Sequence, residues 1–428
     1  MTERVQCQFF VLKKKRLCRM TVRIGEKYCG EHIDHMKDDS VKSSAETCIE
    51  IQSGEERLRV PCPFDSNHSC YKSHLKKHMA RCNSRPSETR PVYINPSINA
   101  GPVEDEVPRV HLNDVSDEAL LDLISRVEKI YEEINIKIKE QILEHPALAE
   151  EIQRPDLGAP ALKHLKQNSS LIGIMESKNL IKNDTCFVEL GAGKGKFTFW
   201  LAHAAKNLSN CTFALVDVST YRHKSENKLV TEGVNSEVIR VLANVGDLCL
   251  EKVDFREGCR YVVPISKHLC GAATDLALRC VVNADSSGSS PRQEGLVMAL
   301  CCHHRCEWRH FVGKELFKNV GLSSQDFTLM CVLVSWATCG IGKSRQPEER
   351  QPAQHPQEDN PHKDRYDRLN LSREIREEIG RKCKLLIDQG RVAYLMKSGF
   401  DTELMYYVKE NVTLENVCLV ALKEKTTA

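Results

Sequence analysis

Apolar residues change their spacing several times along this chain, and each change predicts a different kind of structure. The first ninety residues are polar, with cysteines and histidines in place of a continuous apolar face. Residues 86–112 carry Pro86, Pro91, Pro96, Pro102 and Pro108, the composition of a linker. In "DVSDEALLDLISRVEKIYEEINIKIKEQILEH" (114–145), Leu120, Leu121, Ile124, Val127, Ile130, Tyr131, Ile134 and Ile138 recur at three- and four-residue steps. This spacing predicts a helix that starts near Ser116, its apolar stripe facing the next domain or a second copy in a coiled coil. From 184 the pattern shortens. Runs at 185–190, 212–218, 238–243, 261–266 and 295–301 predict strands, and helical stretches such as 196–208 lie between some of them. A long helix is expected at about 371–389, and a closing hairpin from 402–408 and 416–422. The alternation predicts an α/β domain with a mostly parallel sheet and helices on both faces, broken by a polar, proline-rich insertion at 343–366 that is expected to be disordered.

With 428 residues the chain is long enough for two or three domains and a large core. Its formal net charge of +2 gives no reason to expect a basic protein overall, but Lys13, Lys14, Lys15 and Arg16 concentrate positive charge locally. Twenty cysteines in a long chain that opens without a secretory signal point to reduced thiols inside the cell, free to bind metal. The longest apolar run, 327–342, falls short of a membrane span. The expectation is a soluble, intracellular protein, in the nucleus or the cytoplasm.

The densest chemistry begins at "VELGAGKGKF" (188–197), where a predicted strand meets a predicted helix through Gly191, Gly193 and Gly195. Glycines there let backbone approach a ligand, and a helix start offers unpaired N–H groups. The spacing differs from the dinucleotide fingerprint, whose third glycine would fall at Lys196. With Glu189 ahead of it, the run resembles the first motif of Rossmann-like S-adenosylmethionine (AdoMet) methyltransferases. Asp217 closes the second strand 22 positions after Gly195, where a carboxylate can accept the cofactor's ribose hydroxyls. Asp247, after the third strand, is a candidate neighbour of the adenine or a plain loop carboxylate.

Ligands in open α/β sheets lie beyond the carboxyl ends of the strands. "SKHLCGAATDLAL" (266–278) and "CCHHRCEW" (301–308) fall there. A ribose hydroxyl is a weak nucleophile, so a base should stand beside it. His268 is the favoured candidate because imidazole titrates near neutrality, and Lys267 would need a depressed pKa. Cys302 and His303 are candidates to face the acceptor. Cys301, Cys302, His303, His304 and Cys306 are too crowded for all to reach one ion; an acceptor-site or packing role is favoured, with zinc held by a subset as the alternative.

Two stretches have metal-ligand spacing. Cys62, His68, His78 and Cys82 can close a tetrahedron, with Cys70 and His74 as rivals; Cys7, Cys18, Cys29 and His32 suit a second site. Neither stretch has the apolar residues to fold without zinc. The expected organisation is therefore a zinc module at 1–40, a zinc finger at 57–85, the linker 86–112, a helical or coiled-coil region at 113–160, and the α/β domain at 161–428.

In this order the chain resembles the eukaryotic tRNA 2′-O-ribose methyltransferases that modify nucleotide 4 of the acceptor stem. The likeness runs through both zinc stretches, "VELGAGKGKFT", "SKHLCGAATDLAL", "CCHHRCEW" and "GRKCKLLIDQGR" (380–391). It implies a class I AdoMet-dependent fold, AdoMet and zinc as cofactors, and acceptor stems of tRNAs such as those for glycine, histidine and proline as substrate, with neither DNA nor membrane as a partner. It implies Cys62, His68, His78 and Cys82 as finger ligands and supports Glu189, Gly191, Gly193, Gly195 and Asp217 at the cofactor. Arg381, Lys384 and Arg391 match a family stretch and are candidate phosphate contacts. The Lys-Asp-Lys-Glu tetrad of other ribose methyltransferases is absent at its usual spacing. The rival readings are an RNA-binding scaffold with an inactive methyltransferase fold, and a methyltransferase acting on protein or DNA.

Overall fold

A computed structural model describes residues 5–11, 16–17, 21–22, 27–28, 59–82, 85, 90–103, 107–234, 237–255, 258–286, 291–338 and 361–424. The chain divides into two compact units, Met1–Arg85 and Pro86–Ala428. In the first unit, β1 (Val5–Gln6) pairs with β4 (Thr21–Val22), and β2 (Phe10–Val11) with β3 (Arg16–Leu17). Further on, β5 (Arg59–Cys62) pairs with β6 (Asp65–Tyr71), and α1 (Leu75–Arg81) follows. Lys13, Lys14, Lys15, Cys18, Cys29 and His32 lie outside the described residues, as do the side chains of Arg16 and His68.

The second unit is built on a nine-stranded sheet. Its helices and strands, in chain order, begin with α2 (Asp117–Ile134), β7 (Lys139–Glu140), α3 (Ala149–Ile152), α4 (Ala159–Ser177), β8 (Thr185–Leu190), α5 (Lys196–Ala204), β9 (Thr212–Asp217) and α6 (Lys224–Thr231). They continue with β10 (Glu237–Leu242), β11 (Tyr261–Ser266), α7 (Ala272–Ser286), β12 (Arg292–Gln293), β13 (Gly295–Ala299), α8 (Lys314–Asn319), α9 (Ser324–Leu333) and α10 (Ser335–Thr338). Last come α11 (Pro361–Arg368), α12 (Arg373–Lys397), β14 (Phe400–Tyr406) and β15 (Val417–Lys423).

The strand order is β10-β9-β8-β11-β13-β15-β14-β7, with β12 beside β11. Strands β10, β9, β8, β11 and β13 run parallel, and the β14–β15 hairpin returns antiparallel to β13. The chain steps outward from β8 to β10, then crosses back to β11 on the other side of β8. That reversal opens a crevice at the carboxyl ends of β8 and β11. Every residue of β8 is buried because helices cover both faces, which is why it reads as an unbroken apolar run around Glu189.

Three departures from the sequence expectation have clear causes. The helix from 114 ends at Ile134, where Asn135 adopts a left-handed conformation, and the following residues supply edge strand β7. Its stripe of Leu120, Leu123, Ile124, Val127 and Ile130 packs within its own unit, beside Phe327 and Ile387, so a second helix is not required to cover it. The proline-rich stretch is no free linker: Asn95 N–H donates to Asp247 O (2.8 Å), and the Asn99 amide donates to Val245 O and Leu248 O (2.7 and 2.8 Å). In the polar insertion, residues 343–360 lie outside the described residues, but α11 is ordered. There Arg365 pairs with Asp117 at 2.8 Å and donates to Leu112 O and Val115 O. No helix among the described residues is long and apolar enough to cross a membrane.

Candidate active site

The turn after β8 is held by its own backbone. Gly191, Gly193 and Gly195 all have positive φ (72°, 53° and 67°). Gly191 and Ala192 N–H both donate to Val216 O (3.0 Å), which ties the turn to β9. A Cβ on Gly195 would meet Leu215 Cδ2 at 2.5 Å, and one on Gly191 would meet Leu269 Cδ1 at 3.0 Å, so the turn is closed on its inner sides. Gly193 is half-exposed, and a Cβ there would meet only Tyr221 Cζ, at 4.0 Å. The open side of the turn is therefore at Gly193. Its N–H donates to Asp217 Oδ2 (2.8 Å), and Ser219 N–H donates to Asp217 Oδ1 (2.9 Å). These groups fit a nucleoside cofactor: a half-buried carboxylate with spare lone pairs stands beside an open glycine at a helix start. Asp247, after β10, accepts Ser97 N–H (2.7 Å) from the proline-rich strap through Oδ1.

Glu189 is buried, and its Oε2 accepts the N–H and hydroxyl of Thr198 in the first turn of α5 (3.1 and 2.5 Å). Burial raises its pKa to about 7, with the Thr198 hydrogen bonds opposing. Across the crevice, Lys267 follows directly on β11. Its Nζ donates to Asn168 Oδ1 (2.6 Å) and His164 O (3.1 Å), both from α4. Burial lowers Lys267 to about 7 against the opposing pull of Glu189. The same Nζ lies 3.4 Å from His164 Nδ1, so α4 surrounds the amine with three polar contacts. His268 stacks edge-on against His164 at 5.5 Å between ring centroids. Its pKa lies below the usual histidine range, chiefly through partial desolvation and then through Lys267 and His164, although its outer side meets solvent. His268 is thus neutral at pH 7 but a weak base, whereas a Lys267 amine near 7 is closer in pKa to the working pH.

Sequence reasoning missed His164 and Asn168. The signal was the buried polar run Gln167-Asn168-Ser169-Ser170 inside α4, where a core helix should be apolar. Beside these residues, α4, α5 and α6 enclose a cavity of about 310 Å³ whose lining includes His164, Asn168, Phe199, Trp200 and the lysines 196, 224 and 228.

Several substrate candidates are structural instead. His303 is fully buried, 2.7 Å from Asp388 Oδ1. Arg391 is fully buried as well, bonded to Asp275 (2.8 and 3.2 Å), Asp388 (2.9 Å) and Cys306 Sγ (3.1 Å). Burial pushes Asp388 up, but His303 and Arg391 together hold it below its usual range. Lys384 is buried against Glu415 at 2.6 Å. The charges of Arg391 and Lys384 are paired inside the domain, and His303 has no exposed surface with which to meet an acceptor. Arg381 is exposed, and Cys302 is half-buried.

In the first unit, Cys62, His78 and Cys82 bring their ligand atoms within 4.8 Å of one another, with the two sulfurs 3.6 Å apart. This fits three corners of a tetrahedral zinc site. His78 and Cys82 converge because they are four residues apart across the end of α1. Cys70 and His74, the rivals, do not join that group. Cys7 is buried against Phe9, Val22 and Tyr28.

Comparison with known proteins agrees with this division. A family model described as Methyltransferase TRM13 matches residues 166–422. A CCCH zinc finger in TRM13 protein matches residues 5–33, and a U11-48K-like CHHC zinc finger matches 59–83. Two proteins named tRNA:m(4)X modification enzyme TRM13 homolog are similar along nearly their whole length. The Mus musculus protein is 37% identical over 97% of this chain and 94% of its own, and the Homo sapiens protein 36% over 99% and 95%. The tRNA:m(4)X modification enzyme TRM13 of Scheffersomyces stipitis is 31% identical over 97% of this chain and all of its own.

Proposed function

Since the chain belongs to the TRM13 methyltransferase family, we propose that it methylates the ribose 2′-hydroxyl of nucleotide 4 in tRNA acceptor stems, with Lys267 as the base. The observation that carries this reading is the Lys267 amine. It is buried at the switch point of the sheet, lowered to about 7, and directed by Asn168 and His164 of α4. AdoMet, when bound, supplies an electrophilic methyl group. Gly193 and Asp217 hold its nucleoside, and the closed inner sides at Gly191 and Gly195 keep the turn rigid. Lys267 accepts the hydroxyl proton at Nζ. Asn168 and His164 fix the direction of that amine, and His268 stays neutral and lines the entry.

An A-form stem displays its 2′-hydroxyls along a wide, shallow minor groove, so recognition rests on shape and backbone. In this reading the zinc modules and the basic stretch Lys13–Arg16 supply the phosphate contacts. Cys62, His68, His78 and Cys82 hold one zinc, and Cys7, Cys18, Cys29 and His32 the other. Exposed Arg381 is a further phosphate contact.

Incubation with methyl-labelled AdoMet and unmodified glycine, histidine or proline tRNA should place the label on the ribose of nucleotide 4. A 2′-deoxy nucleotide at that position should abolish it. Label on a base, on protein or on DNA would overturn the reading, and so would an absence of label despite AdoMet binding.

A further inference from the structure

We propose that Cys270, Cys301 and Cys302 form a further metal centre that binds one zinc ion through three thiolates and clamps the loop after β11 to the loop after β13. The cluster is not the crowded Cys-Cys-His-His-x-Cys stretch taken alone. His303 and Cys306 turn away to Asp388 and Arg391, and Cys270 joins from the neighbouring loop.

The geometry suits an ion. All three sulfurs lie within 4.8 Å of one another, and Cys270 and Cys301 are 3.7 Å apart. Tetrahedral zinc with bonds of about 2.3 Å sets its sulfurs ~3.8 Å apart. The finger thiols Cys62 and Cys82, in the same chain, stand at 3.6 Å. Three soft thiolates select zinc over magnesium or calcium.

The backbone is shaped around the cluster. Cys302 adopts a left-handed conformation (φ 54°, ψ 40°), which is unfavourable for a non-glycine residue. Such strain persists only where its surroundings enforce it. Here Cys302 N–H donates to Glu415 Oε1 (3.3 Å), and Glu415 is fixed by Lys384. The two loops touch at Gly271, where a Cβ would lie 2.4 Å from Arg305 O. The clamp would thus hold the loop that carries Lys267 and His268.

Zinc deprotonates its thiol ligands on binding. Arg305 and His304 lie within electrostatic reach of Cys270 and offset the excess negative charge. The fourth position falls to water or to exposed His304.

The test counts zinc by mass spectrometry on full-length protein purified with zinc under reducing conditions. Cys270→Ser and Cys302→Ser should each hold one zinc fewer per chain than the unaltered protein, and Cys62→Ser should lose a different one. Equal zinc in the unaltered protein and both loop variants would overturn the proposal. A second measurement uses the unaltered protein, in case the variants do not fold. Half-buried Cys302 should resist maleimide until a chelator is added, then react. Maleimide reactivity unchanged by chelation would overturn the proposal as well. Neither readout depends on which substrate is methylated.

Discussion

Replacing Arg391 with methionine separates structure from RNA contact. The guanidinium has no exposed surface; it donates twice to Asp275, once to Asp388 and once to Cys306 Sγ. Arg391→Met keeps most of the volume and removes every one of these bonds. Asp388 retains His303 at 2.7 Å, whereas Asp275 retains only Val312 N–H at 3.3 Å. One fully buried carboxylate is then nearly bare. Breaking a buried pair in this way costs ~3–5 kcal/mol, because the charge left behind is unsolvated. For a unit this size, that loss should lower Tm by roughly 5–10 °C. Arg381→Met is the control: it lies on the same helix, but exposed, and should change stability by no more than about 0.5 kcal/mol. Adding Asp275→Asn to Arg391→Met removes the stranded charge and should recover part of the loss. Differential scanning calorimetry with a tRNA-binding titration reads both effects. If Arg391→Met melted within 1 °C of the parent yet bound tRNA far more weakly, the buried network would not be its role.

Other expectations follow from the crevice. Lys267→Met should lower kcat by ~10²-fold or more, the size of a lost general base, with little change in KM for AdoMet. The parent rate should rise with pH through about 7 and then level off, because burial places the Lys267 titration there and only the neutral amine accepts a proton; a profile flat from pH 6 to 8 would remove Lys267 from the step. Asp217→Ala should weaken AdoMet binding by ~10-fold or more by calorimetry, the scale of hydrogen bonds to a charged acceptor. Affinity for tRNA should fall steeply with salt in a filter-binding titration if, as proposed, backbone phosphates carry the contact.

The sheet was legible because parallel strands covered on both faces leave short, unbroken apolar runs. Six residues from Thr185 to Leu190 are recognisable on that basis alone. The glycine turn was legible because local spacing sets its conformation. What the pattern hid depends on distant contacts. Nothing local shows that Arg391 meets Asp275, 116 positions earlier, so its charge reads as a surface feature. The choice between Lys267 and His268 turns on burial and on the His164 and Asn168 partners from α4, which spacing does not reveal. The end of α2 depends on the conformation of Asn135, an otherwise ordinary residue in a helical pattern.

The proposed reaction requires a nucleoside cofactor held between the glycine turn and the acid that ends β9. A crystal structure of the protein with S-adenosylhomocysteine tests it most directly. Both ribose hydroxyls should lie on the Asp217 carboxylate, with the nucleoside against Gly193. A nucleoside bound elsewhere with Asp217 untouched would contradict it.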